Sequence, residues 1–321
     1  MKNVWSELKK PIVVLAPMYD VTDFAFREIV CETAKPDVLF TEFVNVEALY
    51  SKGREVVLKK LKFSAKQSPV IAQVWGTKPE NFEKAAAELN EMGFAGVDLN
   101  MGCPQKSVMK LGLCAGLIND RTLAHEIISA TKEGAKNMPV SVKTRLGINE
   151  YQTKDWIGFL LEHNLNALTI HGRTVKDMSK VLANWGEIKK AVELRNSMKK
   201  ETVILGNGDV LNRTQAEEYC KKYKTDGVMI GRGIFLDMWA FARESNVAPG
   251  DKLNILKNLL VKHLDLYAEL YKNRNYNVMK KYFKIYIKDF DGSKELKDKL
   301  METKSITQAK KLLQQPTNPV L

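Results

Sequence analysis

The sequence predicts an α/β fold, a TIM (β/α)8 barrel followed by a small all-helical C-terminal domain. Eight short apolar runs alternate with helical segments along most of the chain. Nearly continuous apolar strands that alternate with amphipathic helices indicate a parallel sheet, and eight such units close a TIM barrel. After Phe241 no strand-like run follows, and apolar residues recur at helical spacing. The 321 residues suffice for a barrel of about 250 residues and an appendage.

Each predicted strand ends in a polar or glycine-rich turn. In chain order the strands are residues 12–18, 38–44, 69–76, 96–102, 140–147, 167–173, 203–209 and 227–233. The helices between them have recognisable starts. Thr77 and Glu80 form the pattern of a capping box before a helix that ends near Met92, and Asn212 with Gln215 predicts the same for the helix ending near residue 223.

The C-terminal part carries four predicted helices, at residues 253–271, 278–289, 294–301 and 305–313. The stretch 245–250, which contains Pro249-Gly250, has the composition of a linker. We therefore expect a barrel domain over residues 1–244 and a basic helical domain over residues 245–321.

The charge of the chain favours a polyanionic partner. Fifty basic residues against thirty-eight acidic ones give a net charge of +12, and seven of these excess charges fall within residues 251–321. The helical end is therefore the expected nucleic-acid surface, although a solvated helical face has a similar composition. No apolar run has the length of a membrane span, and residues 1–5 lack the apolar stretch of a signal peptide, so a cytoplasmic location is expected. The four cysteines form no CxxC pair and no metal-ligand spacing occurs, so we predict no metal site.

In a TIM barrel the active site gathers at the carboxyl ends of the strands. Here these ends bring an amide, a thiol, a lysine and an imidazole towards one mouth, a convergence that a purely structural barrel does not need. Gly206-Asn207-Gly208-Asp209 and Gly231-Arg232-Gly233 follow the last two strands, where barrels often bind phosphate. Tight turns also need glycine for backbone reasons alone.

Cys103 is the candidate proton donor. It lies on a turn set by Gly102 and Pro104, and a free thiol is mostly protonated at neutral pH, so it can serve as a general acid. Cys31 and Cys220 have the pattern of small buried apolar residues, while Cys114 fits either role.

These motifs together resemble the tRNA-dihydrouridine synthase family. The most specific are Asn-Met-Gly-Cys-Pro within the matching stretch 98–104, Lys-Thr-Arg-Leu-Gly within the matching stretch 142–147, and His-Gly-Arg-Thr at 171–174. Further matching stretches are residues 16–18, 21–23, 26–27, 73–76, 206–210 and 230–233, with 278–287 in the helical end.

The resemblance implies an FMN enzyme that takes hydride from NADPH, passes it from flavin N5 to C6 of a uridine in tRNA, and protonates C5 from Cys103. The matching cofactor-binding residues are Pro17, Met18, Gln73, Lys143, His171, Asn207, Gly208, Asp209, Gly231 and Arg232. The matching substrate-binding residues are Asn100, Arg145 and Arg173. The basic helical end would hold folded tRNA while the target base leaves its stack.

The sequence departs from the family pattern at three places. Asp20 stands where glycine is frequent, Cys114 interrupts a stretch of glycine and alanine, and residues 175–180 lack a customary aromatic residue. Two other functions fit the composition less well. A dihydroorotate dehydrogenase-like FMN barrel gives no reason for the basic helical end, and a non-catalytic tRNA-binding barrel gives none for retaining Cys103, Lys143 and His171.

Overall fold

The computed structural model of the chain describes residues 3–244, 249–272 and 274–315. Its strands are β1 (Ile12–Leu15), β2 (Leu39–Phe40), β3 (Val44–Asn45), β4 (Val70–Trp75), β5 (Gly96–Met101), β6 (Val140–Arg145), β7 (Ala167–His171), β8 (Val203–Asn207) and β9 (Gly227–Ile230). All pairs are parallel, in the order β1-β9-β8-β7-β6-β5-β4-β2. The Asp37 N–H donates to Val13 O at 2.9 Å and closes the ring ahead of β2. The predicted TIM barrel is confirmed.

The second predicted strand, residues 38–44, is wrong as a single strand. It is divided into β2 and β3, which both pair with β4. Between them Thr41 Oγ1 accepts the Gln73 N–H at 3.1 Å, so a side chain replaces a backbone carbonyl in the ladder. The interruption directs Glu42 towards the loop after β1, where its carboxylate accepts the Asp20 N–H at 2.5 Å.

Helices cover the outside of the barrel. They are α1 (Val4–Glu7), α2 (Phe24–Thr33), α3 (Val46–Leu49), α4 (Arg54–Leu61), α5 (Pro79–Glu91), α6 (Lys106–Met109), α7 (Arg121–Ala135), α8 (Gly158–Glu162), α9 (Trp185–Ser197), α10 (Arg213–Tyr223) and α11 (Gly233–Leu236). Short 3-10 turns occupy Ala65–Gln67 and Cys114–Asn119, and a π-helical turn, Thr153–Ile157, precedes α8.

The two predicted helix starts have different outcomes. Asn212 caps α10 through the Gln215 N–H at 2.9 Å, as predicted. The capping box at Thr77 is wrong, because the N–H and hydroxyl of Thr77 both donate to Glu47 Oε1, at 2.8 and 3.0 Å. Helix α5 instead begins after Lys78, which makes no side-chain cap. The Glu47 carboxylate, from α3, therefore binds the Thr77 hydroxyl that the predicted cap would use.

The half of the barrel interior at the amino ends of the strands is apolar. Trp5 of α1 is buried beneath the strands and lies against Phe40, with ring centroids 6.4 Å apart. Inward-facing aliphatic residues of the strands complete this layer: Ile12, Val14, Ile71, Ala167, Val203, Leu205 and Met229. Polar inward-facing residues are therefore concentrated towards the opposite end, where the strands finish.

The chain ends in four helices, α12 (Pro249–Leu270), α13 (Lys280–Tyr286), α14 (Ser293–Glu302) and α15 (Ile306–Leu313), with a 3-10 turn at Tyr276–Met279. This confirms the predicted helical end, while most of the predicted linker at 245–250 lies outside the described residues. Helix α12 packs on α2. Phe26 of α2, His263 of α12 and Tyr282 of α13 form an aromatic cluster that joins the three helices. No helix in the described ranges is both long and apolar enough to span a membrane.

His263 is the polar centre of this contact. Its side chain is fully buried, and Nδ1 lies 3.0 Å from the Tyr286 hydroxyl. Burial, with a smaller contribution from the charge of Lys281, lowers the pKa of His263 from 6.5 to about 3. Between these two values the unfolded chain binds one proton more than the folded chain, so stability falls as the pH drops below 6.5.

We expect His263→Phe to remove this acid sensitivity. One proton changes the free energy of unfolding by about 1.4 kcal/mol per pH unit, so the parent should lose about 2 kcal/mol more than the variant between pH 6.5 and 5. Urea unfolding of both proteins across this pH range measures the difference and cancels the other titrating groups. His125→Phe, at an exposed position of α7, is the control. Equal pH slopes in the parent and His263→Phe would contradict this role.

Candidate active site

A cavity of about 670 Å³ opens at the carboxyl ends of β1 and β6 to β9. Its volume is in the range of small-molecule sites in proteins. Ten of the fourteen predicted site residues line it: Pro17, Met18, Lys143, His171, Arg173, Asn207, Gly208, Asp209, Gly231 and Arg232. The other four, Gln73, Asn100, Cys103 and Arg145, belong to β4, β5 and β6 or to the loop after β5, outside this lining.

Gln73 links Asn100 to a buried carboxylate, that of Asp98, to which the sequence analysis gave no role. Asp98 is fully buried, accepts from Gln73 Nε2 at 2.7 Å and from Ser141 Oγ at 2.6 Å. Gln73 Oε1 in turn accepts from Asn100 Nδ2 at 3.2 Å. Burial raises the pKa of Asp98 to about 6, against the opposing effect of these hydrogen bonds. The available signal was the alternation of Asp98 and Asn100 with apolar residues along β5, which turns both of them into the barrel.

Lys143 brings a cation into the cavity wall. It pairs in register with Asn100, and its Nζ has no hydrogen-bond partner among the described residues. Burial and the adjacent charge of Arg145 lower the pKa of Lys143 to about 8, while Asp98 opposes this shift. The ammonium group is thus partly desolvated and available to an anionic or hydrogen-bond-accepting ligand.

His171, Arg173 and Asp209 form one network on the wall next to Lys143, at the ends of β7 and β8. Arg173 donates to both Asp209 oxygens, at 2.7 and 2.6 Å, and lies 3.0 Å from His171 Nε2. Since a guanidinium can only donate, His171 Nε2 accepts and its proton lies on Nδ1. Burial and the nearby charge of Lys143 hold the pKa of His171 well below its usual range. The imidazole is therefore neutral and serves as a hydrogen-bonding group.

The carboxylate of Asp209 remains charged. Burial raises its pKa, but the hydrogen bonds from Arg173 and from the Ala183 N–H outweigh this effect and leave the pKa below its usual value. Arg173 itself is buried, so the structure places its guanidinium inside the network rather than on the rim. It borders the cavity with a guanidinium that is already bound to Asp209 and His171.

Glycines bring the backbone close to the cavity at the last two strands. Gly208 has φ of +125°, and a Cβ at this position would lie 2.6 Å from Ala183 Cβ. Gly231 has only Ala16 Cβ within reach, at 3.7 Å, and so borders open space. Between the two loops the Arg232 side chain is 64% exposed and lies 3.5 Å from Asp209. This end of the cavity combines accessible backbone with an exposed cation, which suits a phosphate group.

Cys103 lies at the start of the loop after β5 and is partly exposed. Asn100 Oδ1 accepts the N–H groups of Gly102 and Cys103, at 3.2 and 3.0 Å, and so fixes the turn that carries the thiol. Cys114 lies close by but is buried, with a left-handed φ of +51°, and burial strongly raises its pKa. Its thiol is therefore less accessible than that of Cys103.

Arg145 joins two loops at the mouth. Its Nε donates to Gly102 O at 3.0 Å, and Nη1 donates to Thr174 O at 2.8 Å and Met178 O at 3.2 Å. Burial and the charge of Arg173 lower the pKa of Arg145 to about 10. Its Nη2 group has no protein partner within the described ranges, so one edge of the guanidinium stays available. Nowhere in the described residues do three His, Cys, Asp or Glu side chains form a group able to hold a metal ion.

Known proteins are similar to this chain in sequence and in fold. A probable tRNA-dihydrouridine synthase of Staphylococcus aureus strain COL is 44% identical over 316 residues, 97% of this chain and 95% of that protein. The probable tRNA-dihydrouridine synthase 2 of Bacillus subtilis strain 168 is 41% identical over 97% of this chain and 96% of its own length. Among solved structures, morphinone reductase is similar in fold, with a TM-score of 0.52 and 12% identity over 73% of this chain and 85% of that chain. The family model of dihydrouridine synthase (Dus) matches residues 14–319, and the chain belongs to this family.

Proposed function

We propose that this protein is a tRNA-dihydrouridine synthase that reduces the C5=C6 bond of specific uridines in tRNA, with FMN as cofactor and NADPH as reductant. The observation that carries the proposal is the cavity at the barrel mouth, which combines a glycine-lined end next to Arg232 with a lysine that has no partner among the described residues. Family membership agrees with it. Because its substrate would be tRNA, we also propose that the protein acts in the cytoplasm.

The cavity fits FMN in size and in the chemistry of its walls. Gly208, Gly231 and Arg232 would hold the phosphate, with Asp209 keeping Arg232 in place from 3.5 Å. Asn207 is anchored by donating to Met229 O at 2.8 Å, which leaves its amide oxygen for the ligand. Pro17 and Met18 supply apolar wall, and the neutral His171 would hydrogen-bond the ring system. Gln73 lies outside the cavity lining and would contribute the Nε2 proton that Asp98 does not use.

The chain's own groups would perform the acid and electrostatic work. When bound, FMN supplies the hydride chemistry, since a flavin can accept a hydride from a nicotinamide and deliver it to a substrate. Lys143 would neutralise the negative charge that develops beside it during reduction. Cys103 would hold a proton on Sγ and donate it to C5 of the uracil ring. Asn100 and the free Nη2 of Arg145 would bind the uracil edge, and Arg173 would act through His171 and Asp209.

We assign the chemistry to residues 1–244 and the grip on tRNA to residues 245–321. The basic excess of the helical end supports this division. The direct test of the whole proposal is to purify the protein and examine its absorption, then to incubate it with NADPH and unmodified tRNA. A yellow protein that forms dihydrouridine in tRNA and is inactive on orotate and dihydroorotate supports it. A colourless protein, or one active on orotate, refutes it.

Cys103→Ala should retain FMN and tRNA binding but lose turnover by about 10²- to 10⁴-fold, because it lacks the positioned general acid. Dihydrouridine formation under single-turnover conditions is the measurement. Cys114→Ala is the matched control, since this buried thiol lies near Cys103 but outside the proposed proton path. Near-normal turnover of Cys103→Ala, or inactivity confined to Cys114→Ala, would reverse the assignment.

Lys143→Ala should slow the reduction of bound flavin by NADPH, because a desolvated cation no longer offsets the developing negative charge. Stopped-flow absorbance measures this step without tRNA. Lys180→Ala, an exposed lysine in the loop after β7, serves as the control. Unchanged reduction and reoxidation rates in Lys143→Ala would show that its ammonium group faces solvent or serves only the RNA.

The basic cluster of α13 is the predicted phosphate contact. Lys284 is exposed, whereas Lys280 donates to Met301 O at 2.6 Å and Lys281 binds Asp20, so phosphate would compete with these internal partners. Changing all three lysines to Gln should raise the KM for tRNA and reduce the log–log salt slope by roughly 0.7–0.9 per lost contact.

A matched control for this variant removes three exposed lysines at the end of α10, Lys221, Lys222 and Lys224. It has the same net charge and should bind tRNA like the parent. Flavin reduction by NADPH should be normal in both triple variants. If the α13 variant binds tRNA as tightly as the parent across a salt series, the cluster is only a solvated helical face.

A further inference from the structure

A second cavity, of about 710 Å³, lies between the barrel and the C-terminal helices. On the barrel side it is lined by the loop after β1, by Glu42 and by α4, and on the other side by the end of α12 and the turn that follows. We call it the interdomain groove. It begins one residue after Met18, which lines the cofactor cavity, so the two cavities border the same loop. None of the residues assigned above to FMN or uracil lines it.

Tyr19 is the most unusual side chain in the interdomain groove. It is 58% exposed although it lies only four residues after the end of the buried strand β1. Lys60 Nζ lies 3.8 Å from the centre of its ring, and the ring of Phe43 lies 5.3 Å away at 36°. A large aromatic ring that is held by neighbours yet open to solvent has free surface for a planar ligand.

The backbone beneath Tyr19 is firmly anchored. The next residue, Asp20, has a left-handed φ of +59°. Its N–H donates to buried Glu42, its carboxylate accepts from Arg274 and from Lys281, the latter at 2.6 Å, and its carbonyl oxygen accepts from the Tyr282 hydroxyl at 3.2 Å. Every polar group of Asp20 is therefore occupied, and Tyr19 projects from a turn with little freedom left to lose on binding.

The charges around the groove select the ligand. The lining carries four cations, Lys59, Lys60, Lys272 and Arg274, against three carboxylates, Asp20, Glu42 and Glu269. Arg274 is paired with Asp20 and Lys60 lies 3.7 Å from Glu42, so Lys59 and Lys272 are the lining cations that remain open to an RNA backbone. Grooves that bind single-stranded nucleic acid combine cations for the backbone with an aromatic ring on which a base stacks. Unpaired bases next to a flipped nucleotide are available for such stacking.

We propose that Tyr19 is a base-stacking platform for a nucleotide that flanks the target uridine in the substrate RNA. It would supply, from the loop after β1, the aromatic contact that residues 175–180 do not offer. This inference rests on the proposed function, because it requires tRNA as the substrate. It adds a positioning residue to the RNA site and leaves the flavin chemistry unchanged.

Tyr19→Ala should weaken the binding of an unmodified tRNA transcript by roughly 5- to 150-fold, the range for loss of one base–aromatic stack. Tyr19→Phe and Tyr19→Trp should bind within about twofold of the parent, because stacking needs the ring and not the hydroxyl. The log–log salt slope should stay the same in all three variants, since a stacking contact releases no counterion. Fluorescence anisotropy across a salt series measures both quantities.

Tyr50→Ala is the matched control, because Tyr50 is 41% exposed and lies outside the groove lining. Flavin reduction by NADPH should be unchanged in every Tyr19 variant. If the parent forms dihydrouridine but Tyr19→Ala binds tRNA within twofold of it, or if Tyr19→Ala changes the salt slope instead, the platform is refuted and the proposed function stands. If the parent neither binds nor modifies tRNA, both fail together.

Discussion

In a closed parallel barrel, the polar side chains of the interior must form their hydrogen bonds with one another or with a ligand. The barrel's backbone donors and acceptors are largely used between strands, so inward side chains near the mouth must find partners on neighbouring strands or a ligand. Gln73, Asp98, Asn100 and Ser141 do so across three adjacent strands. Lys143, on the next inward position of β6, has no such partner among the described residues. The ammonium group of Lys143 is therefore the polar group at the barrel mouth that needs a ligand to complete its hydrogen bonds.

The same requirement explains the charges around His171, on the neighbouring wall of the cavity. Lys143, Arg145, Arg173 and Arg232 all disfavour a proton on His171, whose pKa is already lowered by burial. Asp209 compensates part of this excess through its two hydrogen bonds from Arg173. The remaining positive charge borders the cavity, where an anionic cofactor would neutralise it.

The strand and helix order was predictable because hydrophobic period and turn residues are local signals. The polar residues at the strand ends were predictable as a group, since barrel topology alone brings them to one face. Asp98 lay in a stretch that matched the family but was given no role, because that role depends on what Gln73, on the neighbouring strand, needs there. The predictions of a capping box at Thr77 and of a single second strand were wrong for a related reason. In both places a side chain distant in sequence, Glu47 or Thr41, takes a hydrogen bond that local rules assign to the backbone or to a cap. Asp20 was noted only as a departure from glycine, although its left-handed φ explains that preference and its two cationic partners, Arg274 and Lys281, explain the carboxylate.

The contact between α2 and α12 also constrains how such proteins can diverge. Phe26 belongs to the barrel, yet it packs against His263 and Tyr282 of the C-terminal helices in one continuous apolar core. Replacing the helical end with that of a distant relative would leave this surface mismatched and the Asp20 loop without Arg274 and Lys281. Gene fusion or shuffling at the junction is therefore a poor route to new RNA specificity. Gradual substitution on the outer faces of the helices, with the inner faces inherited as a unit with α2, is the open evolutionary path.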